Sequence, residues 1–188
     1  MKVVGISASN MGTKTRIAMD YTMQVINEKY PDAITTLIDL AEVDVVFSDG
    51  RNYMDYEDDT KMVTETLMAA DAIIIGTPIF QASIPATLKN IFDLLPENAF
   101  RDKVVSIIVT AGSSKHFLIA DHQLKPILAY MKAQIVQTYV FIEDMDFYRK
   151  KIINDDVLFR IDRLVEDTML MAEVQQKIRE AQDSIYGF

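Results

Sequence analysis

The 188-residue sequence contains no cysteine. That excludes a disulfide framework, a thiolate zinc site, an iron–sulfur cluster and a cysteine nucleophile. There are two histidines, His116 and His122. They stand six apart, about 120° from each other round a helix, so they do not aim two imidazoles at one metal. Neither a histidine metal site nor a Ser-His-Asp triad is expected, and no side chain is assigned as a metal ligand or as a catalytic group. No apolar run reaches the roughly 18 residues that a membrane span needs. The opening Met1-Lys2-Val3-Val4-Gly5-Ile6-Ser7 turns polar too soon for a signal peptide, so the expected location is cytoplasmic. Positive charge is also short: 19 Lys and Arg stand against 28 Asp and Glu, a net charge of −9. Such a surface repels phosphate backbones, which argues against nucleic acid and anionic membranes as partners. With so few reactive side chains, the chain is expected to borrow a cofactor.

What is present reads as an ordinary globular domain, 49% hydrophobic and 25% charged, and one domain is expected over residues 1–188. Five apolar runs, Val3–Ile6, Ala33–Leu40, Ala72–Ile75, Val104–Val109 and Ile135–Ile142, are continuous rather than alternating, as in parallel strands buried on both faces. Helices are expected at Thr15–Tyr30, Asp58–Ala70 and Lys115–Lys132. A further one contains Ile84, Leu88, Ile91, Phe92 and Leu95, with Ser83 as its cap, Pro85 in its first turn and Pro96 as its stop. Asn154 caps a last helix of about thirty residues, with Asp155 and Asp156 in its first turn. Alternating strands and helices with right-handed crossovers give an α/β three-layer sandwich around a five-stranded parallel sheet. Val43–Glu57 is the one long irregular connection, which reads either as a functional loop or as a solvated surface one. Leu158, Ile161, Leu164, Val165, Met171, Val174 and Ile178 on the last helix, with Leu118, Leu124, Ile127, Leu128 and Met131, offer more apolar surface than one sheet face covers. A homo-oligomer is therefore expected.

Ligands of open parallel sheets sit beyond the carboxyl ends of the strands. Gly12 lies in the loop after the first strand, and Gly76 and Gly112 read as the ends of the third and fourth. The first loop, Ser7-Ala8-Ser9-Asn10-Met11-Gly12-Thr13-Lys14-Thr15-Arg16, has neither the dinucleotide fingerprint nor the Walker A spacing. Its hydroxyls and helix-start N–H groups suit a monophosphate held without a metal, with Lys14 and Arg16 as local positive charge. The second, Gly76-Thr77-Pro78-Ile79-Phe80-Gln81-Ala82-Ser83-Ile84-Pro85, offers backbone amides and an aromatic ring to a flat ligand. The third, Thr110-Ala111-Gly112-Ser113-Ser114-Lys115-His116, reads as another helix start whose N–H groups favour negative charge.

Together with Ala86-Thr87-Leu88-Lys89-Asn90, Phe92-Asp93-Leu94-Leu95-Pro96 and Leu124-Lys125-Pro126-Ile127-Leu128, these loops resemble the NAD(P)H-dependent FMN reductases of the flavodoxin-like fold. The likeness is greatest to the alkanesulfonate-linked enzymes and runs from about Lys2 to Asp146. It implies the sheet order 2-1-3-4-5 and hydride transfer from NADPH or NADH to FMN, a step that needs stacking and close approach but no protein acid or base. It implies that Ser9, Thr13 and Thr15, with Lys14 or Arg16, hold the phosphate. Thr77, Pro78, Ile79 and Phe80 would face the ring, and Gly112, Ser113 and Ser114 its pyrimidine edge. It also implies a homodimer or homotetramer and a flavin-dependent monooxygenase as recipient of reduced FMN. Phe80 stands where the family has tyrosine and Ala111 where it has glycine. His122 stands near an aromatic inserted in the interface helix of the alkanesulfonate-linked enzymes. An FMN-bound quinone or azo-compound reductase, and a flavodoxin-type electron carrier, remain as other readings of the same fold.

Overall fold

A computed structural model describes residues 1–186. Its parallel sheet is built from β1 (Lys2–Ser7), β2 (Ile34–Asp39), β3 (Ala72–Pro78), β4 (Val104–Ala111), β5 (Gln134–Ile135) and β6 (Val140–Glu143). The order is β2-β1-β3-β4-β5, with β6 also on β4, which is the flavodoxin-like order expected. β3 and β4 are buried along their whole lengths, as their continuous apolar runs predict. Alternate strand residues face two cores. Ile73, Ile75, Val105 and Ile107 pack beneath α2 (Asp58–Met68), α3 (Ala86–Leu94) and α4 (Lys125–Tyr130). Ala72, Ile74, Val104 and Ile108 pack beneath α1 (Lys14–Lys29) and the long final helix α5 (Asp155–Tyr186). Among the described residues no helix is long and apolar enough to cross a membrane. The hairpin of β7 (Phe147–Tyr148) and β8 (Lys151–Ile152) precedes α5.

Several local expectations are corrected. The fifth sheet position is two short strands rather than one run, because Val136–Tyr139 stand opposite only Ser106 and Ile107. The extra length loops out, and the Tyr139 hydroxyl there reaches the Phe117 carbonyl oxygen at 2.6 Å and the Asp121 carboxylate at 3.0 Å. The helix expected over Lys115–Lys132 is broken into a 3-10 turn at Ser114–His116, a π-helical turn at Ala120–Leu124 and α4. Pro126 has no N–H and crowds the carbonyl four residues back, and the widened turn lies just where that carbonyl is.

Gly76 lies inside β3 and does not end it. A Cβ there would lie 2.5 Å from Met19 Cγ, so this glycine seats α1 closely on the sheet. Ser83 does not cap α3. Phe80 and Ser83 exchange two backbone hydrogen bonds, 2.9 and 3.0 Å, around Gln81 and Ala82, so the helix starts later with Pro85 at its N-cap. Leu124, Leu128 and Met131 are buried in the core and not available to a partner. The exposed apolar residues of that region are Phe117, Leu118 and Tyr130. Those of α5 are Phe159, Leu170, Val174, Ile178 and Ile185, while Ile161, Leu164 and Val165 are buried. Asn154 does begin α5, its side chain accepting the Asp156 N–H at 3.0 Å.

Candidate functional site

A cleft of about 360 Å³ opens at the carboxyl edge of the sheet, within the size range of small-ligand sites. One wall is the first loop, where Ser9, Gly12, Thr13, Lys14 and Thr15 all line the space. Gly12 takes φ +82° there, which glycine adopts without strain. Thr13 is the N-cap of α1 but its side chain makes no capping hydrogen bond, and the first turn carries no acid. The leading N–H groups of α1 therefore have no side-chain acceptor, and the helix dipole adds positive character where Lys14 stands. By contrast α2 begins with Asp58 and Asp59. Thr15 is buried, and its hydroxyl lies 2.7 Å from that of Thr110, tying the start of α1 to the end of β4.

The opposite wall comes from Pro78, Ile79 and Phe80 after β3. Gln81 and Ala82 take left-handed backbone, φ 49° and 58°, unfavourable for residues with a Cβ. That turn is held from the π-helical turn: Gln123 Nε2 donates to the Ala82 carbonyl oxygen at 3.1 Å, and Gln123 Oε1 is hydrogen-bonded to the Ser83 hydroxyl. The floor and rim are Thr110, Ala111 and Gly112. A Cβ on Gly112 would meet only the Asp144 carboxylate, at 3.8 Å, so glycine leaves space in the cleft rather than in the core.

Eight of the residues expected from the sequence thus meet in one cleft: Ser9, Thr13, Lys14, Thr15, Pro78, Ile79, Phe80 and Gly112. Three do not line it. Thr77 is buried with its hydroxyl donating to the Pro78 carbonyl oxygen at 3.0 Å. Ser113 accepts the Lys115 N–H in the 3-10 turn, and Ser114 lies exposed at the start of that turn. The third loop therefore opens a three-residue turn, not an α-helix, and its dipole is correspondingly small. Arg16 is also corrected. Its guanidinium is tied to Asp20, to buried Asp39 and to Glu42, and lies outside the cleft lining. Bonds from Asp20 and Asp39 hold its pKa above the ordinary arginine value.

Sequence reasoning missed Asp144. It follows β6, lines the cleft and pairs with Lys14 at 2.7 Å. The loop after the fifth strand lies at the same carboxyl edge as the other three, and that signal could have found it.

Residues 1–146 match the model of the NADPH-dependent FMN reductases. The chain belongs to that family. The NAD(P)H-dependent FAD/FMN reductase of Geobacillus thermodenitrificans is 36% identical over 172 residues, 91% of this chain and 93% of that one. The FMN reductase (NADPH) of Escherichia coli is 37% identical over 109 residues, 56% of this chain and 57% of that enzyme. Among solved structures, the NADH:FMN oxidoreductase EmoB in its apo form superposes with a TM-score of 0.76 at 25% identity, covering 90% of this chain and 89% of that one.

Proposed function

We propose that this chain is an NAD(P)H-dependent flavin reductase of the cytoplasm that binds FMN in the cleft between the loops after β1, β3, β4 and β6. The carrying observation is the uncapped start of α1, with Lys14 and the hydroxyls of Ser9, Thr13 and Thr15 around it. That donor set fits a phosphate, and the gap left by Gly112 beside Phe80 fits a flat ring. FMN, when bound, supplies the acceptor for a hydride from the nicotinamide. The chain's own contribution is binding and orientation. Lys14 and the first-turn N–H groups of α1 fix the phosphate end, Phe80 and Ile79 bound the ring, and the missing side chain at Gly112 lets the ring approach backbone.

The test is NADPH and NADH oxidation by the purified protein with added FMN, beside titrations with FMN and riboflavin. Turnover with FMN bound more tightly than riboflavin is expected, since each charge-assisted bond to phosphate is worth roughly 1.5–3 kcal/mol. A flavodoxin-type carrier would bind FMN and leave the nicotinamide unoxidised; a quinone or azo-compound reductase would turn over fast only with those acceptors. The same reading includes a flavin-dependent monooxygenase as recipient of reduced FMN. It also includes a homodimer or homotetramer, supported by the exposed Phe159, Leu170, Val174 and Ile178 along α5 and by Phe117, Leu118 and Tyr130. Sedimentation with FMN present is expected to give a dimer or tetramer; a monomer at micromolar concentration would remove that part.

A further inference from the structure

The cleft holds two charged side chains among the described residues, Lys14 and Asp144, and they face each other. One oxygen of Asp144 takes Lys14 at 2.7 Å, while the other turns towards Gly112. The nearest further cation in the first loop, Arg16, is held by Asp20, Asp39 and Glu42. The phosphate end of the cleft therefore carries a cation already matched by an anion. We propose that Asp144 sets FMN affinity by competing with the phosphate for Lys14, so that FMN is held loosely enough to exchange. The inference rests on the flavin-reductase reading above.

The pair suits such a role. Its side chains are 41% and 57% exposed, and ion pairs of that kind contribute little and change partner readily. A phosphate reaching the start of α1 draws Lys14 from Asp144, or shares it, and in either arrangement the Asp144 charge stays close enough to repel a dianion. Riboflavin carries no phosphate and meets no such competition. The competition for Lys14 thus acts on the phosphate, while the second Asp144 oxygen borders the space at Gly112.

The experiment compares the wild type with Asp144→Asn, Lys14→Met and the double variant. FMN and riboflavin dissociation constants come from flavin-fluorescence titration, FMN release rates from stopped flow, and folding from thermal melts. Asparagine keeps the shape and the exposed position of Asp144. Asp144→Asn is expected to bind FMN roughly 3–10-fold more tightly and release it more slowly, with a smaller gain at high salt. Riboflavin affinity shifts less. Lys14→Met weakens FMN, and the gain from Asp144→Asn shrinks in its background. An unchanged or weaker FMN affinity in a folded Asp144→Asn protein overturns the proposal, as does an equal shift for FMN and riboflavin. If the wild type binds neither flavin, the flavin-reductase reading falls. If it prefers FMN and only the Asp144 effect is missing, this inference falls alone.

Discussion

At the scale of single residues, the site separates groups that hold the phosphate end from groups that leave space. Lys14 and Arg16 both offer positive charge beside the hydroxyl-rich loop in the sequence. The structure separates them by their partners: Arg16 belongs to Asp20, Asp39 and Glu42, and Lys14 faces the cleft. Part of that was legible, since Asp20 stands four residues after Arg16 on one helix face. The contacts with Asp39 and Glu42 were not, because they depend on where β2 ends. Gly112 is the residue whose missing side chain matters. A Cβ there has room in the protein itself, so Gly112→Val is expected to fold normally and to fill cleft volume that the ring needs. His116 lies outside the cleft lining. Steady-state NADPH oxidation at saturating FMN is therefore expected to fall on the order of 10²-fold in Gly112→Val, the loss that misplacing the reacting groups can cause. It should change little in His116→Ala. A dead His116→Ala beside a nearly normal Gly112→Val would show that the ring lies elsewhere.

Secondary-structure elements were legible where burial alone shapes the pattern. β1, β3 and β4 carry continuous apolar runs because helices cover both faces of the sheet, and the sequence shows this directly. The fifth strand was misread, and so was the fourth helix, whose widening ahead of Pro126 is also held by distant contacts. Both depend on contacts between distant residues: Tyr139 in the looped-out stretch reaches Phe117 and Asp121, and Asp121 lies in the π-helical turn with Gln123. Burial pushes the Tyr139 hydroxyl pKa up to about 12, and its bond with Asp121 adds to the shift. The π-helical turn has a consequence for the cleft, because Gln123 holds the strained Gln81-Ala82 turn that carries Phe80. Gln123→Ala is expected to release that strain, let the turn relax and move Phe80. Affinity for FMN and riboflavin should fall alike, by roughly 3–10-fold, the worth of about one hydrogen bond. Thermal stability should change little, since the relieved strain offsets the lost bonds. This pattern is distinct from that of Asp144, whose larger effect falls on FMN. An unchanged riboflavin affinity in Gln123→Ala would show that the π-helical turn does not position the ring wall.

At the scale of the whole molecule, the cleft depends on α1 being seated closely and α5 being held along its length. α1 is seated by the missing side chain of Gly76 beneath Met19. α5 covers the same sheet face through Val157, Ile161, Val165 and Met169, and Lys29 of α1 reaches Asp162 and Glu166 on it. Past Ala172 the helix outruns the buried core, and a polar tie takes over. Arg179 donates to Asp71 at 2.7 Å, and the Lys2 N–H donates to the same carboxylate at 2.8 Å. Burial alone would raise the Asp71 pKa, but the bonds from Arg179 and Lys2 outweigh it, and the folded value lies below the ordinary 3.8. A carboxyl with a depressed folded pKa contributes stability above its unfolded pKa and loses it as pH falls through the folded value. Nearby Lys103 cannot mimic this. Burial lowers the pKa of its amine, which donates to the Met68 and Ala70 carbonyl oxygens, and the group is the same in wild type and in an Asp71 variant, so it cancels between them. Asp71→Asn is therefore expected to cost about 1 kcal/mol at neutral pH, a modest figure because the pair is partly exposed to screening solvent. The gap between wild type and variant should stay constant from pH 7 down to about 5 and close below 3.8 as the wild-type carboxylate takes up its proton. Thermal melts of both proteins across that range, with hydrogen exchange followed in the last turns of α5, make the comparison. A gap that persists undiminished at pH 3 would mean that Asp71 acts through shape rather than charge, and that the end of α5 is held by something other than its tie to β3.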